Sequence, residues 1–106
     1  MTVYLIHLDK PMSRGTNGRG QALYAGHYIG YTSSVTKRMA AHTSGRGASF
    51  LEVCKERGIS FDVVRKWENA DRTFEAHLKK HYKNARRLCP RCNPNAENCM
   101  NSEVVL

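Results

Sequence analysis

The sequence predicts an α+β fold, a small three-stranded mixed sheet flanked by about three helices in the order ββααβα. Two runs rich in β-branched and aromatic residues sit either side of a polar, glycine-rich segment; three later segments carry apolar residues at helical spacing; and one further strand-like run separates the second helix from the third. With 106 residues and 41% of them hydrophobic, the chain can build one modest core, so a single domain is expected. Residues 1–88 carry all the patterned segments, and residues 89–106 form a cysteine-containing tail that either joins this domain or is weakly ordered.

The first strand is read from Thr2-Val3-Tyr4-Leu5-Ile6-His7-Leu8 and is expected to end before Pro11. From Met12 to Gln21 the chain turns polar, with Gly15, Gly18 and Gly20 and an Asn17-Gly18 pair, and reads as a mobile basic loop containing a tight turn. A second strand from about Leu23 to Tyr31 would close an antiparallel hairpin and bring Tyr4 near Tyr28. Thr32-Ser33-Ser34 offers helix caps for a first helix over about 34–43, in which Val35, Met39 and His42 recur at helical spacing. Phe50, Leu51, Val53 and Cys54 stripe a second helix over 48–57 that Gly58 closes, and Ile59 to Trp67 has strand composition. Asp71 caps a third helix, marked by Phe74, Leu78 and Tyr82, that reaches about residue 83.

Lys and Arg total 17 against 9 Asp and Glu, a formal net charge of +8 that favours a polyanionic partner, with DNA the leading candidate. No apolar run approaches the roughly 20 residues of a membrane span, and no basic and apolar leader is visible, so the protein reads as cytoplasmic with no membrane partner. Cys54, Cys89, Cys92 and Cys99 are too sparse for a secreted disulfide scaffold and read as reduced thiols or metal ligands.

Phosphodiester hydrolysis needs a water, a group that handles its proton, positive charge on the phosphate and usually a metal at the leaving oxygen. The two strand tyrosines, Tyr4 and Tyr28, offer phenols; Arg38 offers a guanidinium fork; Glu75 offers a hard oxygen for Mg²⁺ or Mn²⁺. Arg38 and His42 are four apart and project from one helix face towards what could be the same phosphate. Taken singly, each has an ordinary reading: a packed strand tyrosine, a solvated arginine, a histidine ending a helix, a Glu75 paired with Lys79 one turn on. Gly30 is read as serving backbone geometry and not chemistry.

The segment Tyr28-Ile29-Gly30-Tyr31-Thr32, followed by Arg38 and His42 on a helix, resembles the GIY-YIG nucleases, with Thr2-Val3-Tyr4 standing where the family's first triplet stands. Gly45-Arg46-Gly47-Ala48, a strand ending in Trp67, then Glu75, Lys79 and the run from Lys83-Asn84 to Arg87-Leu88-Cys89-Pro90-Arg91-Cys92 are similar to a group of small phage and bacterial members. The resemblance implies a one-metal endonuclease in which Glu75 holds the metal and Arg38 stabilises the phosphate. Tyr4 or Tyr28 would assist deprotonation of water, and His42 would contact phosphate or relay a proton. Asn84 would be the family's late asparagine, a place for which Asn93 competes. The first triplet departs from the pattern, with Thr2 for glycine and Val3 for isoleucine.

Cys89-x-x-Cys92 has the knuckle spacing that tetrahedral Zn²⁺ takes, and Cys99, His77 or His81 could complete a set; thiols that pack the tail against the body are the other reading. Arg14, Arg19, Arg46, Lys79, Lys83, Arg86, Arg87 and Arg91 could form a track for the DNA backbone, or simply a solvated surface. Such a track positions without reading bases, so sequence specificity would need a homodimer or a larger nucleoprotein assembly. The competing function is a non-catalytic, zinc-containing nucleic-acid-binding module on a degenerate nuclease fold.

Overall fold

A computed structural model describes residues 1–16, 18–43, 49–82, 85–96 and 103–104, with the side chains of 12–15, 22–25, 42–43, 49–50 and 103–104 outside the description. Strands β1 (Thr2–Thr16) and β2 (Ala22–Thr32) form a long hairpin; helices α1 (Val35–Thr43) and α2 (Ser49–Glu56) lead to β3 (Phe61–Glu68), α3 (Arg72–His81), a 3₁₀ turn (Arg86–Leu88) and a two-residue strand β4 (Glu103–Val104). The α+β class and the order ββααβα therefore hold.

Two expectations change. Strand β1 does not stop before Pro11: after a register shift between His7 and Met12, pairing with β2 resumes at Met12↔Ala25 and Ser13↔Tyr24, so the first half of the expected basic loop, as far as Thr16, is strand. Pro11 sits in that irregularity, where its missing N–H removes no rung from the ladder. The sheet is also not mixed. Its order is β2-β1-β3-β4 and every pairing is antiparallel. Strands β2 and β3 do run the same way, but β1 lies between them, and the short β4 adds a fourth strand beside β3.

Period-two alternation along β1 decides which side chains meet which helices. Tyr4, Ile6 and Leu8 pack with Leu51 and Cys54, and with the partly buried Tyr28, Val35 and Met39, on the face covered by α1 and α2. Val3, Leu5 and Ile29 face the other way, against Leu78 of α3 and against Ala85, Leu88 and Cys89 beyond it. Both faces of the sheet are thus covered, and Ala85, Leu88 and Cys89 are part of the core. Trp67 of β3 seats Phe74 of α3 edge-on, with ring centroids 5.8 Å apart.

Local chemistry sets the helix ends. Ser34 caps α1, its hydroxyl accepting from the Lys37 amide at 3.4 Å. Helix α2 closes in a Schellman arrangement: Ile59 N–H donates to the Cys54 carbonyl at 2.9 Å, Gly58 N–H donates to Lys55 at 3.1 Å, and Gly58 takes a φ of +70°. Asp71 caps α3, its carboxylate accepting from the Phe74 amide at 2.9 Å. Asp71→Ala is expected to cost about 1 kcal/mol in urea unfolding, while Asp71→Asn keeps most of that. Arg65 is 2% exposed, yet its guanidinium donates to the Leu88 carbonyl at 3.0 Å and lies 5.1 Å from the Trp67 ring centre, tying the 3₁₀ turn to β3.

Candidate active site

The hairpin register builds the tyrosine pair. Tyr4 stands opposite Gly30, and Ile6 opposite Tyr28, so both tyrosines lie on one face as diagonal neighbours. Their ring centroids are 6.2 Å apart at 44°, and their hydroxyls are hydrogen-bonded to each other. Tyr4 is 1% exposed. Its ring lies over the bare α-carbon of Gly30: a Cβ there would be 2.7 Å from Cε1 and would overlap Cζ and the hydroxyl. Gly30 is therefore fixed by the approach of the tyrosine and not by backbone conformation, which corrects the reading from sequence.

Arg38 on α1 and Glu75 on α3 bring opposite charges to this pair from two different elements. Burial raises the Tyr4 hydroxyl well above the ordinary phenol range, with the neighbouring Tyr28 adding to it, Arg38 opposing and Glu75 reinforcing. Tyr28 is raised too, by burial first, against the pull of Arg38 and with the push of Glu75. Both phenols are accordingly neutral O–H groups at physiological pH. The Glu75 side chain is 20% exposed, and Lys79, one turn on, approaches it at 3.6 Å. The ordinary helical ion pair is thus present, and the charge of the carboxylate also acts on the tyrosine pair.

Other residues fall differently. His42 lies on α1 one turn after Arg38, with its side chain outside the described residues, as is that of Arg14 on β1. Asn84, Lys83, Arg46 and Cys99 lie outside the described residues. Asn93 is engaged within the tail: its amide donates to the Arg87 carbonyl at 3.1 Å and its oxygen accepts from the Asn95 amide at 3.1 Å. Arg19 is exposed in the turn after β1, and Arg86 and Arg87 are exposed on the 3₁₀ turn, with Arg87 5.4 Å from the Tyr82 ring centre. Arg91 is held by Asp62 at 3.0 Å. Tyr31 turns away from the pair, towards α3, where the Arg72 guanidinium lies 5.6 Å from its ring centre.

Sequence reasoning missed a second polar cluster. His7 and His27 are cross-strand partners, and their ring nitrogens meet the sulfurs of Cys89 and Cys92 with all four atoms within 4.8 Å of one another. Of the expected completers, His77 and His81 do not join but lie against each other on α3 with ring centroids 4.4 Å apart at 44°, and Cys99 lies outside the described residues. The signal that could have found the pair was present. Both histidines sit at odd positions of the hairpin strands, on the face that the C-terminal segment covers, and pairing Tyr4 with Gly30 puts them opposite each other.

The fold and the site describe a small α+β protein whose tyrosine-bearing hairpin faces an arginine and a carboxylate from separate helices. The family model for the GIY-YIG catalytic domain matches residues 16–88, more than half of the 106-residue chain, and the chain belongs to that family. It therefore carries the catalytic domain of a nuclease, a hydrolase. The match contains Tyr28, Arg38, His42, Glu75 and Asn84 and begins after Tyr4. No curated protein and no solved structure gives a significant match. Among the described residues no helix is long and apolar enough to cross a membrane.

Proposed function

We propose that this protein is a divalent-metal-dependent DNA endonuclease that hydrolyses a phosphodiester at the Tyr4–Tyr28–Arg38–Glu75 cluster. The observation that carries the reading is that Arg38 on α1 and Glu75 on α3 both lie near enough to the buried tyrosine pair for their opposite charges to act on its hydroxyls. A pure DNA-binding surface gains nothing from a carboxylate beside phosphates, whereas a hydrolytic site needs a hard oxygen there.

A partly buried carboxylate fits Mg²⁺ or Mn²⁺, which are held through one or two carboxylates with substrate oxygens and waters completing the shell. Glu75 would hold the ion, and when bound the ion supplies Lewis-acid stabilisation of charge on the phosphate and the leaving oxygen. Arg38, exposed at the mouth of the cluster, binds the non-bridging oxygens and neutralises the charge that grows in the transition state. The hydrogen bond between Tyr4 and Tyr28 fixes the orientation of the two hydroxyls, and the Tyr28 oxygen positions the attacking water by hydrogen bonding. Because burial keeps both phenols protonated, they orient the water, and a phenol takes its proton only while passing its own hydroxyl proton to another base; His42 is proposed to contact phosphate or relay that proton, and Asn84 to serve as the family's late asparagine.

The exposed Arg19, Arg86 and Arg87, with Arg14, Arg46, Lys79 and Lys83, are proposed to follow the DNA backbone, and selectivity is proposed to come from a homodimer or a larger assembly. The segment after residue 88 is proposed to belong to the same domain, since Cys89 is fully buried in the core that α3 covers. A cytoplasmic location accords with these roles.

The test is cleavage of supercoiled and branched DNA in Mg²⁺ or Mn²⁺ at fixed salt, comparing wild type with Arg38→Ala and Glu75→Ala. Metal-dependent cutting that both substitutions abolish is the expected result. A wild type that binds DNA but cuts none of the substrates in either metal overturns the proposal in favour of a binding module on a nuclease fold.

A further inference from the structure

The four atoms of the His7, His27, Cys89 and Cys92 cluster are spaced as ligands of a common centre. His7 Nδ1 and His27 Nε2 are 3.3 Å apart; Cys89 Sγ is 3.4 Å from His7 Nδ1; Cys92 Sγ is 3.5 Å from His7 Nδ1 and 3.4 Å from His27 Nε2. A tetrahedral zinc ion, with bonds of about 2.3 Å to sulfur and 2.0–2.1 Å to nitrogen, sets nitrogen–nitrogen edges of about 3.3–3.4 Å and nitrogen–sulfur edges of about 3.5–3.6 Å. Four of the six edges of the cluster thus match that figure to within about 0.2 Å.

Hydrogen bonding alone does not account for this arrangement. His7 Nδ1 has three neighbours at 3.3–3.5 Å, one nitrogen and two sulfurs, and a neutral imidazole nitrogen offers only one in-plane hydrogen or one lone pair. The two rings stand edge-on at 62° with centroids 5.2 Å apart, which aims nitrogens inward instead of stacking faces. Cys89 and Cys92 are both free thiols, so no disulfide explains their proximity. We propose that His7, His27, Cys89 and Cys92 form a closed, structural zinc site that staples the C-terminal segment to the β1–β2 hairpin.

The chemistry of the set selects the ion. Two thiolates cancel the charge of Zn²⁺, so the complex is neutral and tolerates the core position in which Cys89 is 0% exposed. Soft sulfur and borderline imidazole favour zinc over Mg²⁺, which takes oxygen, so this centre is distinct in kind from the hard-oxygen position at Glu75. Four protein ligands leave no open position for substrate, which makes the role structural. His27 directly precedes Tyr28, so the ion would also fix the backbone that carries that tyrosine. Cys92 lies 85 residues from His7 in sequence, and so long a clip removes much of the freedom of the unfolded chain.

The proposal is tested on the full chain by elemental analysis of purified protein, by X-ray absorption at the zinc edge, and by Co²⁺ titration after zinc removal. One zinc per chain with two sulfur and two nitrogen neighbours is expected. The cobalt form should show the strong visible bands of tetrahedral coordination and a thiolate charge-transfer band. Cys92→Ser should lose the metal, whereas His27→Cys should keep one ion and gain sulfur character in both spectra, a result that does not depend on a destabilised variant. His77→Ala with His81→Ala should leave the stoichiometry at one. Folded wild type that binds neither zinc nor cobalt, or zinc retained in a Cys92→Ser, His27→Ala double variant, overturns the site. Because Glu75→Ala should retain its zinc even where it cannot cut DNA, failure of this inference and failure of the nuclease reading are distinguishable.

Discussion

Glu75→Gln should leave DNA binding intact and the fold stable, yet lower metal-dependent cleavage by roughly 10²–10³-fold, the scale on which loss of one preorganised electrostatic group acts on a transition state. The substitution keeps the size of the side chain and removes only its charge. Its stability cost is bounded by the ion pair with Lys79 at 3.6 Å, where the lysine side chain is 53% exposed; such i,i+4 pairs contribute no more than about 0.5 kcal/mol. Affinity for DNA should be equal or slightly tighter, because a negative charge beside phosphates has been removed. The separation of the two readouts is what identifies the role. A surface ion-pair residue would move stability by tenths of a kcal/mol and cleavage within a few-fold, so cleavage by Glu75→Gln within about threefold of wild type would remove Glu75 from the site. Raising Mn²⁺ should recover part of the rate if the carboxylate holds the ion, since weaker binding is offset by concentration.

Much of the fold was legible because the hydrophobic period changes cleanly along the chain. Phe74 and Leu78 repeat at helical spacing behind an Asp71 cap, and the structure uses all three as expected: the cap accepts from the Phe74 amide, Phe74 meets Trp67, and Leu78 is fully buried. The tyrosine pair was legible for a similar reason, since a hairpin of two strands with polar residues between them brings Tyr4 and Tyr28 together once a register is assumed.

What escaped the sequence has physical causes. Pro11 reads as the end of a strand and the glycines between Met12 and Gln21 as a loop, but a long two-stranded ribbon tolerates both where its ladder shifts, and the backbone resumes pairing at Met12↔Ala25. The sheet was read as mixed because strand direction follows from connection order, whereas adjacency does not; only the placement of β1 between β2 and β3 makes it antiparallel throughout. The His7–His27 pair escaped because ligands spread over 85 residues leave no local motif, and the Cys89-x-x-Cys92 knuckle drew attention to neighbours in sequence, such as His77 and His81, instead of neighbours across the sheet. The fit of Tyr4 over Gly30 is likewise invisible in one dimension, for a glycine in a strand is as often a weak point as a necessity.

That fit yields a prediction whose sign is informative. In a β-strand, alanine normally outperforms glycine by roughly 0.5–1 kcal/mol, because glycine loses more backbone freedom on folding. Gly30→Ala is expected to do the opposite and cost about 1–3 kcal/mol in denaturant unfolding, since its methyl would overlap the Tyr4 ring, which is buried and has nowhere to retreat. Cleavage should fall with it, because moving the Tyr4 hydroxyl breaks the hydrogen bond that orients Tyr28. The double variant Gly30→Ala, Tyr4→Ala separates crowding from generic damage. Tyr4→Ala alone opens a cavity in the α1–α2 face of the core, and the Gly30 methyl would partly fill it, so the double variant should be more stable than the sum of the single losses by at least about 1 kcal/mol. Its cleavage should nevertheless stay lost, since the hydroxyl is gone. Additive stability losses, or a Gly30→Ala protein as stable as wild type, would show that the ring can yield and that Gly30 is not held by Tyr4.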